Sequence, residues 1–384
     1  MKGSITRRGK NSWRLKFDVG RDPATGVRDT KYVTVRGTKK QAQEELTRLL
    51  AARDAGTFVD PSKQTVGEFL TSWIDTAETL AISGKTAERY RSLIDKQIIP
   101  HLGTKPLQKL KPSDVVSWHK TLLVRGGAQG GPLSPRTVGH AHRVLHKALS
   151  DGVRQEVIVR NVAAAVSPPK VDEEEMATLT AEQVRTVVDA LRNVTIYPHI
   201  VVLLTTGMRR GELMGLRWGD IDFKEGKLRI ERAVEATKTH GLRIKGPKTA
   251  NGRRTIRLAS ATVAVLKEHR ARCLEIRMSL GLGRLPDDAY VFGDETGAVR
   301  HPDYVTRAWR RCVASKDIPN ISLHALRHSH ASALIAGNHD PVTVSRRLGH
   351  ANPAVTMKIY AHLFDRGDEE AASTMDALLE KGAE

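Results

Sequence analysis

Two stretches that cannot pack divide this chain of 384 residues. Residues 56–63 are rich in Gly, Asp, Pro and Ser, and Ser167-Pro168-Pro169-Lys170 leads into the acidic run Asp172-Glu173-Glu174-Glu175. Proline stiffens such a segment and clustered carboxylates resist burial, so neither break belongs inside a hydrophobic core. One continuous core is thereby excluded. A multidomain, mainly α-helical chain is expected, with units at 1–58, 64–168 and 176–384.

Each unit has its own pattern. In the first, Trp13, Leu15, Phe17 and Val19 alternate with Arg14, Lys16 and Asp18, the period of two of a half-buried strand. Asp22-Pro23-Ala24-Thr25-Gly26 reads as a turn, and Tyr32, Val33 and Val35 lie in a return strand. Thr38 opens a helix with Ala42, Leu46, Leu49 and Leu50 on one side. A small sheet backed by one helix leaves its other face open, and that face carries Arg14 and Lys16. Such a face fits a DNA groove, although an ordinary solvated face has the same pattern.

The second unit reads as four helices. Thr65-Val66-Gly67-Glu68 has capping-box spacing ahead of Val66, Phe69, Leu70, Trp73, Ile74 and Ala77. Further helices are predicted from about Lys85 to Ile98, stopping at Pro100, from near Ser113, and after Ser134-Pro135. The third unit opens at Thr180-Ala181-Glu182-Gln183, another capping box, and is mainly helical. Strand-like stretches near 227–234 and 253–258 flank a polar turn at Ala250-Asn251-Gly252.

Charge narrows the class. Lys and Arg number 62 against 43 Asp and Glu, a net +19. Residues 1–171 hold 30 of these bases and 15 of the acids, so +15 sits there and only +4 in the remaining 213 residues. A front-loaded positive field suits a polyanion, and nucleic acid is the expected partner. The longest apolar runs, such as Val201-Val202-Leu203-Leu204, are far short of the roughly 18 residues of a membrane span. Met1-Lys2-Gly3-Ser4 lacks an apolar h-region, so no secretory signal is expected. Two cysteines, Cys273 and Cys312, cannot build a disulfide framework or a Cys-rich zinc site. A reducing cytoplasm is the expected compartment.

Several chemistries lack their motifs: there is no Walker A loop, no Gly-x-Ser-x-Gly elbow, no His-Glu-x-x-His pair and no two-metal carboxylate cluster. What remains is basic and rich in histidine. Thr206-Gly207-Met208-Arg209-Arg210-Gly211-Glu212 places two arginines after a glycine turn. Lys248 stands beside the polar turn, followed by His324-Ala325-Leu326-Arg327-His328, by Leu348-Gly349-His350, and by Tyr360 ten residues later. On a helix His324 and Arg327 share a face, and Asn352-Pro353 starts the short helix that presents Tyr360. This set suits the cutting of a phosphodiester without a metal. A tyrosine attacks, two arginines neutralise the equatorial oxygens, and a protonated group supplies the leaving oxygen. Zinc on His324, His328 and His330 is a weaker reading, since no Cys or carboxylate stands at suitable spacing.

These five boxes, in this order, resemble those of the tyrosine recombinase (phage integrase) family over roughly residues 176–365. Ala325 is one departure, since many members carry Asp there. Residues 64–168, with Pro100-His101-Leu102-Gly103, resemble the family's helical SAM-like core-binding domain. Residues 1–58 resemble the arm-type DNA-binding domain of integrases from phages and integrative elements. The resemblance implies that Arg209 and Arg327 grip the scissile phosphate and that Glu212 orients Arg209. It implies that His324 and His350 hydrogen-bond the phosphate and manage protons, and that Tyr360 forms a 3′-phosphotyrosyl bond. Lys248 would be the general acid, with Lys238 and Lys245 nearby on the same hairpin region as rivals. Arg14 and Lys16 would contact DNA. Also implied are a site-specific recombinase needing neither metal, cofactor nor ATP, and double-stranded DNA with core and arm sites as partner. A homotetramer on DNA follows too, with Met375, Leu378 and Leu379 as an apolar stripe for assembly or for docking within the chain. An accessory DNA-bending or directionality protein has room beside it. The alternatives are a type IB topoisomerase, which has no use for the extra β domain, and a non-catalytic DNA-binding regulator, which has no use for the intact site.

Overall fold

A computed structural model gives the structure of residues 3–21, 25–56, 58–172, 177–246, 252–364, 372–373 and 375–377. Outside these lie the turn residues 22–24, the acidic residues Glu173–Glu175, residues 247–251 with Lys248, and the predicted apolar stripe's Leu378 and Leu379. The chain forms two compact units, residues 1–172 and 173–384.

The first unit holds two separate apolar clusters. Strands β1 (Ser4–Gly9), β2 (Ser12–Arg21) and β3 (Arg28–Arg36) make an antiparallel sheet in that order. Helix α1 (Lys39–Asp54) covers one face, burying Leu15 and Phe17 against Ala42, Leu46 and Leu49. Thr38 and Gln41 form the capping box that starts it. Strand β1 left no pattern in the sequence: Ile5 is its single apolar residue, and pairing with β2 holds it. On the uncovered face Arg14 lies between Thr6 and Thr34, and Lys16 between Ser4 and Tyr32.

The second cluster is helical: α2 (Val66–Leu80), α3 (Gly84–Leu93), α4 (Ile99–Leu102), α5 (Pro112–Arg125) and α6 (Pro135–Arg154). Phe69, Leu70, Trp73 and Ile74 pack with Ile94, Ile98, Trp118, Leu145 and Leu149. The indole N–H groups find partners, Trp73 on Asp151 (2.8 Å) and Trp118 on the Gln97 carbonyl (2.7 Å). The helix expected to stop at Pro100 does not stop there. A π-helical turn at Ile94–Ile98 carries it into α4, whose first turn holds the proline. Proline lacks an N–H and its ring crowds the preceding turn inside a helix, but at the first turn of a helical segment neither costs a hydrogen bond or a clash.

The second unit begins with α7 (Ala181–Leu191), α8 (Tyr197–Thr206) and the short α9 (Arg210–Met214). Strands β4 (Ile221–Asp222), β5 (Lys227–Ile230), β6 (Ala233–Thr237), β7 (Gly241–Lys245) and β8 (Arg254–Arg257) follow. They form a sheet β4-β5-β8 and a separate β6-β7 hairpin. The stretch read as one strand over 227–234 is therefore two, broken at Glu231-Arg232, and the hairpin is inserted between the paired strands β5 and β8. Helices α10 (Ser260–Ser279), α11 (Asp303–Ser315), α12 (Ala325–Ala336), α13 (Pro341–Leu348) and α14 (Pro353–Tyr360) complete the unit. Its main core gathers Leu203, Met208, Leu213, Trp218, Leu228, Ile256, Trp309 and Leu326, and a smaller one gathers Ala331, Ile335, Val344, Leu348 and Tyr360. Among the described residues no helix is long and apolar enough to cross a membrane.

Candidate active site

The site is assembled where α8, α9, α12, α13 and α14 meet. Helix α8 ends at Gly207, whose φ of +64° suits glycine. A Cβ there would lie 2.5 Å from the His330 ring and 2.8 Å from Leu348. The turn hands the chain to Arg209, the N-cap of α9, whose peptide N–H donates to Glu212 Oε2 (3.0 Å). The Arg209 guanidinium donates to Glu212 Oε1 (2.8 Å) and to the Gly349 carbonyl (3.2 Å), while nearly half its side chain stays exposed. Glu212 is buried, and burial pushes its carboxyl up, but Arg254 and Arg209 outweigh that and hold it below the ordinary value.

Arg327 is placed differently. It is 4% exposed, with Nη1 donating to the Gly207 carbonyl (2.6 Å). Its Nη2 is buried with no hydrogen-bond partner among the described residues. Burial first, then the Arg209 cation, push this guanidinium down to about 9. A buried cation with a spare donor beside a second cation is short of an anion, and both arginines reach the same turn.

The histidines and the tyrosine close the other side. His324 caps α12 and is exposed, and its ring stands edge-on to His328 at 4.8 Å. His350 is buried beyond Gly349, with Nδ1 on the Thr356 hydroxyl at 2.8 Å. Burial and then Arg327 push its imidazole down to about 4. Tyr360, last residue of α14, is 3% exposed, and its hydroxyl meets His328 Nδ1 at 2.6 Å. Burial pushes its phenol up to about 12, against the pull of Arg327.

The expected residues Arg209, Glu212, His324, Arg327, His350 and Tyr360 thus come together from separate segments of the second unit. Lys248 lies outside the described residues. Its rival Lys245 is paired with Glu235 across the β6-β7 hairpin. Arg14 and Lys16 belong to the other unit, where both flank the half-exposed Tyr32 ring, the Arg14 guanidinium at 4.1 Å and the Lys16 ammonium at 6.0 Å. No cluster of three metal-ligating side chains occurs among the described residues. His330 Nδ1 meets the Leu204 carbonyl instead, and His328 meets Tyr360.

Residues 177–366 match the phage integrase family, and residues 65–123 match the N-terminal SAM-like domain of phage integrases. The chain is a member of the phage integrase family. A tyrosine recombinase XerC-like protein of Caldanaerobacter subterraneus subsp. tengcongensis is 25% identical over 98% of this chain and 99% of its own length. The ICEBs1 integrase of Bacillus subtilis is 24% identical over 98% of this chain and all of its own length. Among solved structures, the Tn1549 transposon integrase in complex with transposon right end DNA shares 22% identity, with a TM-score of 0.67 over 82% of this chain and 100% of that one. A lambda integrase tetramer bound to a Holliday junction shares 18%, with a TM-score of 0.57 over 95% of this chain and 97% of that one. The multidomain, mainly helical architecture is the one these structures have.

Sequence reasoning missed two supports of this recombinase's site. Arg254, 7% exposed in its side chain, donates to Glu212 (2.9 Å) and to the Arg347 carbonyl (2.7 Å). A signal was present, because Arg254 alternates onto the same strand face as the buried Ile256 and Leu258. Arg347 donates to His330 Nε2 (3.1 Å) and to the Thr205 carbonyl (3.0 Å), tying α13 to the end of α8. Nothing in the sequence announces that pair.

Proposed function

We propose that this tyrosine recombinase performs site-specific recombination with Tyr360 as nucleophile and Arg209 and Arg327 as the phosphate clamp. The observation that carries the reading is the buried Arg327 Nη2, a charged donor with no partner among the described residues, in a site that also holds a tyrosine hydroxyl. Tyr360 Oη attacks the scissile phosphorus, forming a 3′-phosphotyrosyl bond and releasing a 5′-hydroxyl. The two guanidiniums neutralise the charge that builds on the equatorial oxygens, the part a metal plays elsewhere. Glu212, held by Arg254, fixes the direction of Arg209. His324 and His350 hydrogen-bond the phosphate, and Lys248 protonates the leaving oxygen. The covalent bond conserves the energy of the cut strand, so rejoining needs no ATP.

DNA is the partner. Residues 1–58 grip an arm site through Arg14 and Lys16, residues 64–168 and 176–384 clamp the core site, and four protomers act together. Support comes from the concentration of charge in residues 1–171 and from the DNA-bound neighbours, one of them a tetramer. A library of nicked duplexes with randomised cores tests the chemistry, since the short 5′ fragment diffuses away and traps the adduct. Adducts mapping to Tyr360, and lost in Tyr360→Phe while gel-shift binding persists, are expected. An adduct that survives in Tyr360→Phe overturns the assignment.

A further inference from the structure

An attacking phenol must lose its proton, and this one gives it up reluctantly. With its phenol pushed up to about 12, Tyr360 is ionised about once in 10⁵ molecules at neutral pH. Something near the oxygen has to take the proton as the bond to phosphorus forms. Among the described residues the group within hydrogen-bond distance of that oxygen is His328 Nδ1, at 2.6 Å. The guanidiniums of Arg209 and Arg327 are directed at the Gly207–Glu212 turn and the Gly349 carbonyl instead.

We propose that His328 is a catalytic residue, the general base that receives the Tyr360 proton through Nδ1. This rests on the reading of Tyr360 as nucleophile.

The surroundings fit the role. The contact is the same length whichever atom donates, and the tautomer sets the direction. To serve as base the ring is neutral with the lone pair on Nδ1, so that the phenol O–H donates to it. Burial, then His324 and Arg327, push this imidazole down to about 4, which keeps it unprotonated before DNA arrives. The groups facing it are His324 at the N-cap of α12, Arg327 of α12, His350 just beyond α13 and Tyr360 of α14. Two of these repel a proton on His328 in the free protein. A phosphate bound between Arg209 and Arg327 brings negative charge to the same place and raises the basicity of the ring when it is needed. His328 is held in place by α12, one residue beyond Arg327, so the helix that supplies the phosphate clamp also supplies the base.

The step balances. The Tyr360 O–H bond breaks and its proton goes to His328 Nδ1, while the Oη–P bond forms. The P–O5′ bond breaks, and the 5′ oxygen takes a proton from the acid assigned to Lys248. In rejoining, the 5′-hydroxyl attacks the phosphorus as its proton returns to the group assigned to Lys248, the P–Oη bond breaks, and the departing tyrosine oxygen recovers its proton from the His328 imidazolium.

The test is adduct formation on the nicked duplex selected by the wild-type protein, followed against pH for His328→Gln, His328→Phe and His324→Gln. Each is made with tyrosine or with a fluorinated tyrosine, whose phenol ionises more readily, at position 360. Both His328 variants should bind the duplex normally, as gel shift reports, and form adduct roughly 10²–10⁴-fold more slowly. Their rates should climb with pH as hydroxide replaces the base. Fluorotyrosine should restore most of the loss in the His328 variants and little in the His324 variant. Wild-type rates in both His328 variants, or a loss that fluorotyrosine does not mend, would overturn the proposal. So would rescue of His324→Gln alone, which makes His324 the base. Tyr360→Phe runs alongside: its adduct-free result upholds the nucleophile whatever the His328 variants do, and an adduct there removes both readings.

Discussion

Glu212 shows how one carboxylate serves two arginines with different jobs. Arg254 is nearly as buried as Glu212, whereas Arg209 has nearly half its side chain open. Removing one partner of a buried pair strands the other charge, at a cost of about 3–5 kcal/mol, and exposed pairs contribute about 0–1 kcal/mol. Arg254→Ala should therefore lower the thermal unfolding midpoint strongly and weaken the adduct by misdirecting Arg209. Arg209→Ala should leave the midpoint within a few degrees and abolish the adduct. Differential scanning of the two variants beside the nicked-duplex assay checks both, and equal midpoints would contradict the division of labour. The sequence showed Arg209, Glu212, Arg327, His350 and Tyr360 because each sits in a short motif. Arg254 stayed hidden because its partner lies 42 residues away.

At the scale of elements, the α8–α9 turn sets both arginines at once. Its Gly207 carbonyl holds Arg327, and two residues later the chain delivers Arg209. Gly207→Ala meets both a positive φ and the His330 ring, so it should destabilise by more than about 1 kcal/mol and lose adduct formation. Retention of both stability and adduct in that variant would show that the turn can shift without harm. In the helical cluster of the first unit, α5 and α6 are joined by His119 Nε2 and His142 Nδ1 at 3.1 Å, both buried. Such a pair shares one proton, and charging it is opposed by burial, which pushes His142 down to about 4 and His119 below its ordinary value. The unfolded chain then binds more protons than the folded one between about pH 6.5 and 4. Stability is full above that window and falls as pH drops through it, by about 3 kcal/mol for His142. Hydrogen exchange in α5 and α6 should accelerate from pH 7 to 4.5 beyond the intrinsic effect of pH. His142→Gln, which keeps a hydrogen-bonding group without a titration, should flatten the change.

For the whole molecule, the proposed roles separate gripping from cutting. Residues 1–58 hold their own apolar cluster around Leu15 and Phe17, and no residue assigned to chemistry lies among them. Avidity through a linker changes how often two DNA sites meet and leaves the reaction at one site untouched. Deleting residues 1–58 should leave the adduct on a short core duplex intact and abolish integration between two plasmids. The full-length protein should also show the steeper salt dependence on DNA carrying both sites, because it makes more phosphate contacts. Unchanged integration after the deletion, or a lost adduct, would each contradict the assignment of an arm domain.

The sequence by itself determined the helices with strong caps and the order of the short motifs from which the proposed site is built. These are local properties: a proline, a capping threonine or a stripe of leucines acts on neighbours within a turn or two. Tertiary structure alone decided the rest. Strand β1 exists because β2 pairs with it, and the β6-β7 hairpin separates strands that pair around it. Arg254 meets Glu212, Arg347 meets His330, and His328 meets Tyr360 across 42, 17 and 32 residues. A buried charge or an ionisable ring takes its role from the groups the fold sets against it, and spacing along the chain does not encode that distance.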